Sequence, residues 1–218
     1  MNNFVKLAAA AVVGATLGSA AVAQELYAPN LAYRTGPFAA TGIPLMNGQA
    51  DYFAMLNARD GGVGGIAVNA EECETGYSTE KGVECYEKTK GTAIVTQPWS
   101  TGITLQVLPK TNVDEIPILA PGYGFSPMMD GKTFQWAFNM PSGYWDAADM
   151  IVQHMESEGD LSGKKVVHLH LDDHPFGKEP LPVLEQLAAQ KGFELLPIPV
   201  GLKEMQNQSA QWLQIRRE

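Results

Sequence analysis

The sequence predicts an α/β fold with parallel sheets, and three observations carry that expectation. Short β-rich runs alternate with helical patterns along the chain, an order that forces right-handed crossovers between parallel strands. The 14 prolines and 22 glycines are dispersed, without a low-complexity run or a repeat, so the chain reads as globular. The alternation breaks once, at the turn-rich Gly122 to Lys132 (GYGFSPMMDGK), where the chain leaves one sheet. Phe134 to Met140 then reads as a segment crossing towards a second domain that begins near Ser142. Two α/β domains joined in this way leave a cleft at the C-terminal ends of their strands, where open sheets bind ligands. Periodicity alone fits a single doubly wound sheet with a long surface loop equally well.

Taken in order, Leu26 to Tyr33 reads as a strand and Ile43 to Ala58 as a helix with Met46, Ala50, Phe53 and Ala54 on one face. Ile66 to Asn69 is a second strand. Ser78 is placed to cap a helix running to about Lys88, and the strand Thr92 to Gln97 follows. Ser100 to Leu108 is a helix, Glu115 to Ala120 and Phe134 to Phe138 are strands, and Tyr144 to Met155 is an amphipathic helix. The last part repeats the theme: strand Lys165 to Leu171, helix Lys178 to Gln190, strand Phe193 to Val200 and a helix from Ser209 to Arg217. Trp136 and Phe138 are expected in the core.

The first residues are a leader. Lys6, the apolar run Leu7 to Val13 and the ending Ala21-Val22-Ala23 form the pattern of a signal peptide, residues 1–23, cleaved after Ala23. Gly14, Thr16, Gly18 and Ser19 interrupt the stretch, which makes it a poor membrane-spanning anchor. Export to an oxidising compartment favours a disulfide between Cys73 and Cys85, whose intervening residues are polar and carry Gly76 and Gly82. Reduced thiols are the alternative, and a zinc site lacks the usual tight ligand spacing. The formal net charge is −9, and losing Lys6 makes it more negative, which argues against nucleic acid and anionic lipid as partners.

Two stretches carry a family resemblance. LAYRTGPFAATGIPLMNGQADYFAMLNARDGGVGG, from Leu31, resembles the opening of the type I periplasmic substrate-binding proteins of the branched-chain amino-acid ABC transporter class. VVHLHLDDHPFGKEPLPVLEQLAAQKGFELLPIPV, from Val166, is similar to that family's strand, loop, helix and strand in the second domain. The order of elements between them agrees, including a disulfide near the second strand. The resemblance implies two Rossmann-like parallel-sheet domains: a first lobe at 24–140 and an incomplete second lobe at 141–218 behind the signal peptide. A complete member continues past Arg217, so the chain reads as an N-terminal part with the second half of the fold absent. Such a piece is expected to be marginally folded by itself.

The resemblance also implies a function: an exported, periplasmic solute-binding component that closes on a small ligand and delivers it to an ABC permease and ATPase complex at the inner membrane. It is not an enzyme and needs no cofactor. Independently of family, Trp99-Ser100-Thr101-Gly102 ends a strand and opens a helix, so hydroxyls and unpaired N–H groups converge where a carboxylate would sit. By position the family holds its ligand's carboxylate here, which makes Ser100 and Thr101 ligand groups and Trp99 a wall; Ser100 is equally suited to capping the helix. At the next strand end the family presents a small residue and a threonine, where this chain has Gly122, Tyr123 and Gly124. The family's tyrosine before glycine is Phe176-Gly177. With two hydroxyls lost, an aromatic-lined site of Trp99, Tyr123, Tyr144, Trp145 and Phe176 suits an aromatic or larger apolar carboxylate better than an aliphatic amino acid.

Other readings stay open. His168, His170 and His174 with Asp172 and Asp173 form H-x-H-x-D-D-H, with His168 and His170 on one strand face, a pattern that could serve an exported metal-dependent hydrolase. A ligand-sensing receptor of the same fold is a further alternative. A serine hydrolase is disfavoured by the lack of a G-x-S-x-G elbow.

Overall fold

A computed structural model describes residues 25–121 and 126–218. The leader, with its expected cleavage site, and Gly122, Tyr123 and Gly124 lie outside the described residues. The first predicted strand is two short ones, β1 (Leu26–Tyr27) and β2 (Asn30–Ala32), because Pro29 between them has no N–H to give the ladder. Parallel to them run β3 (Val68–Asn69) and β4 (Glu72–Glu74), with Leu26 opposite Val68 and Leu31 opposite Cys73. On the other side of β2 lies β5 (Gln97–Pro98), shorter and later than the strand expected at Thr92 to Gln97, since Lys90–Thr92 forms a 3-10 turn. A parallel bridge from Thr96 to Ile118 continues the sheet into β6 (Ile118–Pro121), which pairs with β7 (Ala137–Met140). Strand order therefore reverses at β2: the chain steps to one side into β4 and then to the other into β5, β6 and β7.

Helix α1 (Ala39–Asp60) stops at Gly61, which adopts φ 71°, and the Gly61 and Gly62 N–H groups return to the last carbonyls. Its inward face differs from the expected one. Gly42 and Met46 are buried, Gln49, Phe53 and Leu56 are half-buried, and Ala50 and Ala54 face solvent. The inward residue one turn after Met46 is a glutamine. Gln49 donates to Gln97 Oε1 at 2.7 Å and accepts from Asn30 Nδ2, so an apolar pattern alone steps over it.

Helix α2 (Thr79–Thr89) begins at Ser78, whose hydroxyl accepts the Lys81 N–H, as expected. The Cys73–Cys85 disulfide, also expected, ties it to β4 with Cα atoms 5.7 Å apart. Helix α3 (Thr101–Asp114) runs through Pro109, past the expected end at Leu108. Proline inside a helix costs about 3 kcal/mol. Here it is offset because Ile103, Val107 and Leu108 are buried against Leu31, Tyr86 and Ile118.

The remaining elements are α4 (Tyr144–Glu158), β8 (Lys165–Leu171), α5 (Pro175–Lys178), α6 (Leu181–Lys191), β9 (Glu194–Val200) and α7 (Ser209–Ile215). β8 and β9 form one continuous parallel ladder, from Lys165 opposite Glu194 to Leu171 opposite Val200. Helices α4 and α6 cover it through Val152, Leu184 and Leu187, joined in one cluster by Leu161 and Phe193 from the adjoining turns. The helix expected from Lys178 to Gln190 is α6, which begins only at Leu181, after Pro180, and the short α5 precedes it. Phe138, expected in the core, is 51 % exposed on β7, which is an edge strand among the described residues, and Trp136 is half-buried. No helix among the described residues is long and apolar enough to cross a membrane.

Candidate ligand-binding cleft

The loops leaving β2, β4 and β5 meet where strand order reverses, the position at which a parallel sheet opens a crevice. Two of them are stitched together. The Glu74 carboxylate accepts the N–H groups of Arg34 (2.8 Å), Thr35 (3.2 Å) and Gly76 (2.8 Å) and the Thr35 hydroxyl (2.9 Å). Thr75 Oγ1 donates to the Ala32 carbonyl at 2.8 Å. Gly36 sits so close to Gly76 that a Cβ there would fall 2.3 Å from the Gly76 carbonyl oxygen, so only glycine fits.

This stitching brings three rings together. Tyr33 lies 4.9 Å from Tyr77 between centroids, and Phe38 lies 4.5 Å from Tyr77. From the opposite side the loop after β8 delivers His174 and the short helix α5 that follows delivers Phe176, 5.5 and 6.0 Å from Phe38, with His174 also 5.5 Å from Tyr77. Tyr144, the first residue of α4, places its hydroxyl 3.0 Å from Thr101 Oγ1, the first residue of α3. Tyr33, Phe38, Thr41, Tyr77, Tyr144 and Phe176 line an open cavity of about 270 Å³.

The expected site residues distribute as follows. Tyr144 and Phe176 share that cavity, and Thr101 adjoins it through Tyr144. Trp99 is buried against Tyr33 and Tyr77 but faces a different cavity, on the α1 side with Leu45 and Gln49. Ser100 is 2 % exposed, and its hydroxyl accepts the Ile103 N–H at 3.4 Å, so it caps α3. Gly122 and Tyr123 lie outside the described residues. Trp145 does not join the aromatic lining: its Nε1–H donates to the Glu179 carbonyl at 2.9 Å, because consecutive helix residues project about 100° apart. Tyr33, Phe38 and Tyr77 are not singled out by the sequence, and His174 is singled out there only within a possible metal motif. The sequence signal available was Phe38, immediately after the T-G-P turn; the φ of 64° at Tyr77, a non-glycine residue, shows only in the structure.

Beside the aromatic cavity lies a polar one of about 460 Å³, whose walls include Thr101, Asp172, Asp173, His174, Lys178 and Glu179. Burial lowers the pKa of His174 below the usual histidine range, against the opposing pull of Asp173. Burial also raises the Glu179 carboxyl, partly offset by the Ser126 N–H, which donates to it at 2.7 Å. A further cavity, apolar and about 390 Å³, runs along α4 and β8 from Tyr144 past Ile151 and Val167. His168 and His170 stack at 5.1 Å, and His168 Nε2 lies 3.0 Å from the Gly177 carbonyl. Among the described residues no three His, Cys, Asp or Glu side chains are grouped to hold a metal ion.

Residues 25–218 match the family described as Periplasmic binding protein. The chain is similar to a solved structure from the Pseudomonas fluorescens group described as an ABC transporter permease: 33% identity, TM-score 0.73, covering 88% of this chain and 48% of that one. It shares its fold with a branched-chain amino acid ABC transporter protein from Thermus thermophilus solved with valine (20% identity, TM-score 0.75, 89% of this chain and 50% of that one). The same holds for a solute binding protein from R. palustris in complex with benzoate (17% identity, TM-score 0.74, 88% and 52%). No curated protein sequence matches. The chain spans about half the length of these solved proteins.

Proposed function

The chain belongs to the periplasmic binding protein family, and from that premise we propose that it serves as the solute-binding component of an ABC importer, capturing a small carboxylate with an apolar or aromatic body. One observation carries the reading. Rings from the β2 and β4 loops meet rings from the β8 loop around one cavity, and Thr101 and Tyr144 join hydroxyls beside it. In this reading residues 24–140 and 141–218 are two lobes, the cavity lies between them, and the protein works in the periplasm after cleavage behind Ala23.

The chemistry asks for no covalent step. An apolar body buried among Phe38, Tyr77 and Phe176 gains roughly 25 cal/mol per Å² of apolar surface removed from water, with a further contribution from ring stacking. The Thr101 and Tyr144 hydroxyls and the N-terminus of α3 supply donors for a carboxylate. Ligand contacts reaching both sides favour the closed form by the difference in affinity between closed and open states, and the permease recognises that form.

A thermal-shift and calorimetry screen of valine, leucine, phenylalanine, phenylacetate and benzoate tests this. At least one aromatic carboxylate is expected to raise the melting temperature, and Phe176→Ala is expected to weaken its binding by roughly tenfold. If no compound shifts the melting temperature, the binding reading fails.

A further inference from the structure

The charged groups that share the polar cavity are engaged, with one exception. Asp172 pairs with Lys178 at 3.4 Å, Asp173 accepts the Leu202 N–H, and Glu179 accepts the Ser126 N–H. His174 is enclosed by rings instead: Phe38 and Tyr77 meet it edge-on and Phe176 stacks with it at 6.2 Å. Neither of its ring nitrogens has a hydrogen-bond partner among the described residues. It stands on the wall between the two cavities, sharing the polar one with Thr101, where a carboxylate would meet the Thr101 hydroxyl.

We propose that His174 recognises the anionic end of the ligand and takes up one proton as a carboxylate binds. The inference rests on the binding reading above. The electrostatic balance at the ring supports it. Asp173 beside it, Asp172 and Lys178 paired with each other, Glu179 turned to Ser126, and the phenols of Tyr33, Tyr77 and Tyr144 are the titratable groups around it. Burial holds the imidazole neutral when the cleft is empty, despite Asp173. A carboxylate brings a second negative charge, and the aromatic faces favour the cation that forms.

The sign follows from linkage. The pKa of His174 is low in the empty cleft and higher with carboxylate bound. Between those two values binding takes up a proton, and Kd rises about tenfold per pH unit; below the lower and above the upper value it is flat.

The experiment is calorimetry of the full chain with benzoate and phenylalanine, in two buffers of different ionisation heat, between about pH 5 and about pH 8. Expected are uptake of about one proton and a pH-dependent Kd in the wild type. His174→Gln should lose both, while Lys178→Gln keeps the proton uptake. Histidine NMR titrations of the wild type give an independent readout, with the His174 pKa rising when benzoate is added. Binding without proton uptake, uptake that persists in His174→Gln, or an unmoved His174 resonance overturns the proposal and leaves the binding reading standing. Failure of both compounds to bind overturns this proposal for an aromatic carboxylate, and the binding reading falls with it only if valine, leucine and phenylacetate fail as well.

Discussion

The sheet that ends in the aromatic cleft and the β8–β9 pair are made of the same parts, parallel strands under helices, but they are held by different forces. Strands β1 to β7 are two to four residues long, whereas β8 and β9 each run for seven in unbroken register. The short strands are braced by side chains: a disulfide from β4 to α2, the linked amides of Asn30, Gln49 and Gln97, and the Glu74 carboxylate over the β2 and β4 loops. The long pair rests on its own ladder and on the apolar faces of α4 and α6. The cleft is thus walled on one side by loops fixed from beneath by polar groups. On the other it is walled by a loop carried at the end of a regular ladder.

The largest test of that contrast is to hollow each core in turn. Ile118→Ala, in the first sheet, and Leu187→Ala, under α6, should each cost about 2–5 kcal/mol. Amide exchange in the native state should show Ile118→Ala lowering protection in β2 to β6 while β8 and β9 keep theirs, with the converse for Leu187→Ala. If both variants lose protection everywhere alike, the two regions fold as one unit and the contrast is wrong.

Next in size is the disulfide. It closes a loop over a sequence separation of 12, and restricting a loop of that size in the unfolded chain is worth about 3 kcal/mol. The double variant Cys73→Ser with Cys85→Ser should lower the melting temperature and loosen α2 and β4 first. Equal loosening of β9 would contradict a role confined to the first sheet.

The same contrast explains what could be read from the sequence. β8 was legible to its ends because a run of seven residues, bounded by Lys164 and Asp172, carries its own pattern. The cap at Ser78 and the disulfide were legible because each depends on a local signal: one hydroxyl before a helix, and two cysteines flanking a polar loop. β5 was misplaced because a strand of two residues has no period to detect, and the inward face of α1 was misjudged because its key position is Gln49. The aromatic cavity draws Tyr33, Phe38, Tyr77, Tyr144 and Phe176 from separate segments, so no window of sequence contains it. Thr101 is legible from its place at a helix start and Tyr144 as one of the aromatic candidates, but their contact is a property of the fold.

The smallest and sharpest test concerns Glu74. Burial raises its pKa, but hydrogen bonds from the Arg34, Gly76 and Thr35 backbone and the Thr35 hydroxyl outweigh that and hold the carboxyl below the usual glutamate range. A depressed folded pKa means the stabilisation is present above the unfolded pKa and is lost as pH falls through the folded one. The carboxylate is exposed, so screening keeps its contribution to about 1 kcal/mol. Thermal melts from about pH 3 to about pH 7 should therefore show the wild type losing its advantage over Glu74→Gln on the acid side, with the two curves converging at the lowest pH. The disulfide and the cores do not titrate, so parallel curves over the whole range would mean that the stitching of the two loops contributes nothing. The fixed spacing of Phe38 and Tyr77 would then have to come from ring packing alone.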